Sequence, residues 1–365
     1  MQIVTTDLDQ DSEKEAWNHY VSHHECGSLY VRAEWGDVIR DVYGHDSIRL
    51  VAVGGGEGLK KIVGVLPMVH MRSRIFGNRL ISMPYFDVGG AVADTPEIEE
   101  ALMFKALDIG RTLGVKSLEI RQVRPIAALD DQADGRHEDR GNTLSVFKEK
   151  ERMLLALPPS SESLWTSFKS KLRSQIRRAM KEGLTVDMGD EELIDTFYTV
   201  FAENMRDLGS PVHAKALFHG VMNAFKGRAK IVVVKKGGMP VAASIVCPHG
   251  KTLQNPWASS LRRYSRLSPN MLLYWAMLEY ASDHRYSTFD FGRSTSGEGT
   301  YRFKKQWGAE PRPLHWYQWM CNNVSVGKTI RSDKDRFGRA AKYWQKLPVS
   351  VTTLLGPMVR GQISL

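Results

Sequence analysis

The chain reads as an α/β protein of the mixed (α+β) kind, with two domains in tandem, each a mixed central sheet flanked by helices. Its 365 residues exceed what a single core of ordinary size holds. The 42% hydrophobic and 25% charged content is that of a folded globular chain. The third observation is order: helices, a hairpin, a strand, a helix and a strand occur twice, without the strict strand–helix alternation of a purely wound sheet. The duplication is one of element order, with no letter-by-letter repeat.

In the first half, residues 12–24 predict a short helix and Tyr30 to Tyr43 another, with Trp35, Val38, Ile39 and Val42 at helical spacing. Ile48 to Val53 and Lys61 to Val69 alternate as strands around GGGEG, a hairpin signal. Arg79 to Met83, the segment PYFDVGGAVAD, a helix from Pro96 to Leu113 stopped by Gly114, and the strand VKSLEIRQV complete the unit. Residues 127–142 are charged and aperiodic, which predicts a surface excursion.

The strand FKEKERMLLALP follows, and Ser160 or Ser161 can cap a helix running to Gly183. Leu164, Trp165, Phe168, Leu172, Ile176 and Ala179 share one face of it; Lys171, Arg173, Arg177, Arg178 and Lys181 fall largely on the other. With no acid between Lys169 and Lys181, that face is either a solvated helix back or a wall for a phosphate-rich ligand. Helices over Glu191 to Leu208 and Ala214 to Phe225 come next, then three strands through a GG turn and a PHG turn. Ser268 and Pro269 start a helix that runs to about Asp283.

The stretch Phe289 to Trp316 reads as a strand ending in FDF, a turn at Gly292, a polar loop, a basic segment and a second aromatic strand. It concentrates Arg293, Ser294, Tyr301, Arg302, Lys304 and Lys305, enough donors for one anionic ligand, with Tyr301, Phe303 and Trp307 as apolar anchors. The expected boundaries are 1–155, 156–320 and a tail over 321–365. The tail begins basic and ends apolar, as either a helix docked on one domain or a peripheral membrane contact.

The net charge of +9 favours acidic partners: phosphorylated small molecules, tRNA or an anionic membrane surface; DNA is not among those expected. The acidic N-terminus lacks signal-peptide character, and no stretch approaches the roughly 18 apolar residues of a span. Cys26, Cys247 and Cys321 are widely spaced and suit a cytoplasmic protein. His23 and His24, beside Glu25 and Cys26, diverge in direction, so no metal site is expected. There is no GxSxG, HExxH, Walker loop or GxGxxG after a strand. What fits is transfer run by positioning and electrostatics, an amine attacking an activated carbonyl, with Asp87, Asp94 and Asp290 as candidate bases or structural acceptors.

The segments LWTSFKSKLRSQIRRAMKEGLTV, FAENMRDLGSPVH, PNMLLYWAMLEYA and FDFGRSTSGEGTYRFKKQWGAEP, with YVRAEWGDVIRDVYGH and PYFDVGGAV, resemble the FemAB family over about residues 28–320. The likeness is nearest to the branch associated with exosortase (PEP-CTERM) and exopolysaccharide systems. It implies two tandem GNAT-like domains, and aminoacyl or acyl transfer to an amine on a lipid-linked or nucleotide-linked precursor of the cell envelope or of an exopolysaccharide, expected in the cleft between the two domains. It implies no resident cofactor, and a donor that is aminoacyl-tRNA or acyl-CoA. By position, Lys304 matches the family's FK lysine near the transferred carbonyl, Arg206 of NMRD an arginine on a diphosphate, and Asp94 an aspartate discussed as a base. Arg293 is placed with Lys304 near the transferred group, and Asn255, Trp257, Tyr301, Arg302, Arg173 and Arg177 are expected to bind the substrate with Arg206. Ile39 stands where the family has a lysine, the family's coiled-coil insertion is missing, and the loop SLRRYSRLSPN lacks the glycine of an acetyl-CoA pyrophosphate loop. A non-catalytic protein binding tRNA or an anionic glycan on the same fold is the alternative.

Overall fold

A computed structural model describes residues 1–8, 10–55, 61–73, 76–126, 129, 138–139, 142–321, 338 and 340–364. Residues 56–58 of the GGGEG turn, most of the 127–142 excursion and the basic start of the tail lie outside these. The described chain forms two compact units, one from 1–150, 313–334 and 361–365, the other from 151–312 and 335–360.

The first unit carries strands β1 (Gln2–Thr6), β2 (Asp46–Gly54), β3 (Lys61–Ser73), β4 (Gly77–Ile81), β5 (Val92–Ala93), β6 (Ser117–Gln122), β7 (Glu138–Asp139) and β8 (Asn142–Phe147). Their order is β1-β2-β3-β4-β6, then the strand His315–Cys321, then β8-β7, with β5 on β3. The expected hairpin is present, β2 on β3 from Asp46↔His70 to Gly54↔Lys61. β4 and β6 run parallel, joined by a helix over Pro96–Thr112. That helix starts where the Thr95 hydroxyl accepts from the Ile98 amide and Pro96 takes the first turn. Its Leu102, Met103, Ala106 and Leu107 close the core over Leu66, Leu80 and Leu118. The helices Asp11–His23 and Glu34–Tyr43 bury Trp17 and Trp35 completely. They and the Pro96 helix are α1, α2 and α3.

The second unit carries β9 (Lys150–Ala156), β10 (Leu184–Gly189), β11 (Lys230–Lys236), β12 (Met239–His249), β13 (Thr252–Ser260), β14 (Thr288–Thr295) and β15 (Glu310–Pro313), in the order β10-β11-β12-β13-β14-β9-β15. Its helices are α4 (Ser161–Ser167), α5 (Ser170–Lys181), α6 (Ile194–Leu208), α7 (Lys215–Ala224), α8 (Pro269–Asp283), α9 (Gly299–Gln306) and α10 (Val349–Arg360). Here too an antiparallel run ends in one parallel pair, β13 and β14, with α8 as the crossover.

Three expectations change. The helix expected to run from Ser160 to Gly183 is two helices, because Phe168 and Lys169 take extended ψ angles of 143° and 147°. Thr166 and Ser167 bond back to carbonyls of their own helix and so end α4, while Phe168 turns onto Trp275 and Trp307 in the core. The basic segment after Gly297 is the helix α9. The second aromatic strand, His315–Cys321 or β16, lies between β6 and β8 of the first sheet, so the main segment of the second unit ends at Arg312 and not at residue 320. The first boundary falls correspondingly at 150/151, since β9 pairs in the second sheet. Among the described residues no helix is long and apolar enough to cross a membrane.

Candidate active site

The second sheet opens where β13 and β14 part. Their parallel register lasts only from Thr252↔Thr288 to Gln254↔Asp290, although both strands continue. Beyond that point β13 stays on β12, through Trp257↔Ile245 to Ser260↔Ala242. The cause is a β-bulge between Ile245 and Cys247, which sets Asn255 and Pro256 against Val246. Pro256 has no amide hydrogen to lose there. The Asn255 amide Nδ2 holds the bulge by donating to the Ile245 carbonyl at 3.0 Å, the Trp257 carbonyl at 3.2 Å and the Ser244 hydroxyl. Trp257 is buried edge-on to Phe218.

The opposite wall is β14. The Asp290 carboxylate, 2% exposed, accepts from Arg152 Nε at 2.7 Å and from the Gly292 amide at 2.8 Å. Both oxygens are thus engaged, one with Arg152 and one in fixing the turn at Gly292, whose φ of +72° favours glycine. From α9, Lys304 is buried and its Nζ donates to the carbonyls of Gly292 and Arg293, at 3.2 and 2.7 Å. Arg293 therefore leaves a backbone clamped by the neighbouring lysine. Two further polar groups were not singled out as site residues from sequence, or only as one of a cluster. Among the described residues, the buried Oε1 of Gln254, the last residue in register, has no hydrogen-bond partner, and neither does the buried Ser294 hydroxyl. Both belong to the strands that part at the opening, Gln254 to β13 and Ser294 to β14. Only a register that breaks between two strands reveals them.

The remaining candidates are distributed. Tyr301 is half-buried and Arg302 exposed, both on α9. Arg177 stacks on Trp165 with its guanidinium carbon 5.3 Å from the ring, and Arg173 is half-buried with an unpartnered Nε. Neither lines the cleft of about 310 Å³ at the start of α5, where Phe168, Leu172 and Trp307 meet Lys169, Lys171 and Lys305. Arg206 ends α6 and is held by Asp207 at 2.6 Å and the Leu347 carbonyl at 3.3 Å. Asp94 belongs to the first unit, where it accepts from the Tyr20 phenol at 2.8 Å. Burial and this carboxylate both push the Tyr20 phenol up. Asp87 is also in the first unit, its carbonyl accepting from the Trp316 indole at 3.0 Å.

Between β13 and α8 the glycine-free loop still makes a left-handed turn. Ser268 adopts φ +54° and gives no side-chain cap to α8, while its amide donates to Ser265. Arg262 and Arg266 are exposed on this loop, whereas Arg263 pairs with Glu203 and covers Tyr264.

An antiparallel run that splays at one parallel pair, crossed by a helix, is the GNAT-type fold, here in two tandem copies. Residues 166–305 match the family described as acetyltransferase (GNAT) domain. FemX is similar in structure at a TM-score of 0.65 and 16% identity, over 88% of this chain and 98% of FemX. The C-terminal domain of a putative lysylphosphatidylglycerol synthetase from Agrobacterium fabrum gives 0.55 at 13%, over 89% and 96%. A tandem GNAT protein from the clavulanic acid biosynthesis pathway gives 0.52 at 12%, over 87% and 97%. At these identities the likeness is one of fold. No curated protein matches the chain.

Proposed function

We propose that the chain is an N-acyl or aminoacyl transferase whose reaction runs in the opening between β13 and β14. The observation that carries this reading is the loss of register after Gln254↔Asp290, beside two unpartnered buried polar atoms and a backbone braced by Lys304. An acceptor amine attacks the donor's acyl carbonyl. The C–N bond forms as the C–S bond of a thioester or the C–O bond of an ester breaks, and the amine's surplus proton passes to the leaving group or solvent. Donor groups along the opening would stabilise the developing oxyanion. Acyl-CoA and aminoacyl-tRNA both carry phosphate, which the exposed Arg262 and Arg266 and the start of α8 would receive. The likeness to FemX and to a putative lysylphosphatidylglycerol synthetase supports an acceptor amine on a cell-envelope precursor.

Transfer from acyl-CoAs and from aminoacyl-tRNA mimics, together with ligand-induced melting shifts, tests this. A true donor raises the melting temperature because it binds only the folded state. Ser294→Ala is expected to cut transfer at least tenfold with a stability change under about 1 kcal/mol, since no native hydrogen bond is lost. Lys304→Met should lower transfer and cost about 1–3 kcal/mol by stranding two carbonyls. Wild-type rates in both variants would remove the site from this opening.

The cleft with Lys169, Lys171 and Lys305 favours the second reading, a non-catalytic binder of tRNA or anionic glycan. Steep salt dependence of RNA binding without any transfer would select it.

A further inference from the structure

The helix α10 is seated with its apolar side outward. Its buried residues are Thr352 and Gly356. Gly356 approaches Val212 so closely that a Cβ would stand 2.8 Å from Val212 Cγ1, which fixes this face against the second unit. Leu354 and Met358 are instead 74% and 73% exposed, and Leu355 is exposed beside them. Tyr343 (73%) and Leu208 (63%) are exposed too, on segments of the same unit. Gly209 abuts Ala341 and the Gln345 side chain donates to the Asp207 carbonyl, so the end of α6 lies against the helical segment at 341–344 and the residue after it. The other large apolar side chains as exposed among the described residues, Met1, Phe104, Met180 and Met239, sit on different elements. An apolar patch rimmed by polar groups marks an interaction surface.

Charge selects the partner. Lys342 and Lys346 are exposed and carry no ion pair among the described residues, and residues 338–365 contain no Asp or Glu. A protein partner would need an acidic rim matched to two lysines, whereas an anionic bilayer presents that charge everywhere, together with a hydrocarbon layer for leucine and methionine. The 12-residue helix is roughly 18 Å long, too short to span but suited to lying in the interface.

We infer that this face docks on an anionic lipid surface, with Leu354, Leu355 and Met358 entering the interface and Lys342 and Lys346 at headgroup level. The inference is independent of the transfer reaction. Flotation of the full chain with phosphatidylglycerol–phosphatidylcholine vesicles, against pure phosphatidylcholine, tests it. The wild type is expected to float with the anionic vesicles and to release as salt rises. Leu354→Ser with Met358→Ser should weaken binding at least about tenfold, and Lys342→Glu with Lys346→Glu at least about twenty-fivefold, roughly fivefold per lysine. These side chains are exposed, so melting temperatures should hold; Leu355→Ser alone, with a several-fold loss, serves if the double variant misfolds. No flotation at low salt, or wild-type flotation in both variant pairs, overturns the inference. So does self-association in solution that Leu354→Ser with Met358→Ser abolishes, which would assign the face to a second copy.

Discussion

Lys304 and Lys305 are neighbours of identical chemistry with opposite roles. Lys304 turns inward and spends its ammonium on two backbone carbonyls of β14, while Lys305 stands at the rim of the α5 cleft. The motif resemblance points to Lys304, but which of the two is buried is decided by the helical phase of α9 against β14. Asp290 has a similar history, a candidate base by position whose two oxygens are occupied by Arg152 and Gly292. In the first unit, Glu99 is almost wholly buried on α3, beside Gln122 and Arg124. Burial pushes its carboxyl up to about 7, with Arg124 offsetting only part of the effect. A carboxyl that holds its proton more tightly folded than unfolded stabilises most at low pH. Its contribution is complete below the unfolded pKa of 4.5 and is lost as pH rises towards about 7. Urea unfolding from about pH 5 to pH 8 should therefore show the wild type losing on the order of 2–3 kcal/mol relative to Glu99→Gln. Parallel pH profiles for the two proteins would show that Glu99 does not titrate in this range.

At the scale of elements, periodicity located the helices and strands but not their breaks. The apolar stripe from Leu164 to Ala179 continues across Phe168 as though one helix carried it, because a side chain turned into the core there satisfies the same period in either backbone. Thr166 and Ser167, which terminate α4 by bonding to its last carbonyls, were the available sign. The turn before α8 makes a sharper case. A serine at φ +54° pays a steric cost that glycine does not. Ser268→Gly is expected to stabilise the protein by about 0.5–1 kcal/mol, and Ser268→Val to destabilise it by at least about 1 kcal/mol, in chemical denaturation. Equal stability of the three proteins would mean that the loop relaxes out of the left-handed region.

At the scale of the molecule, the first sheet is completed by a strand from beyond the second unit's main segment. β16 follows residues 151–312 yet fills the place beside β6, while β9, the second unit's first strand in sequence, lies beside β14 and not beside β10, the next strand in sequence. Tyr317 is wholly buried in the first core, and its hydroxyl accepts from the Ile126 amide at 2.8 Å. Tyr317→Ala should cost about 3–5 kcal/mol and strip hydrogen-exchange protection from β6 and β8 while sparing β11 to β13. Loss of protection in the second sheet instead would contradict the assignment of β16. By itself the sequence determined the mixed α/β class, the hairpin of β2 and β3, the repeated element order and the Pro-led starts of α3 and α8, because these depend on local period, capping and turn chemistry. Only the tertiary structure decided which sheet HWYQWMC joins, where β13 and β14 part, and which of two adjacent lysines is buried. Those choices depend on partners distant in the chain, and a local pattern records that a residue is buried without recording against what.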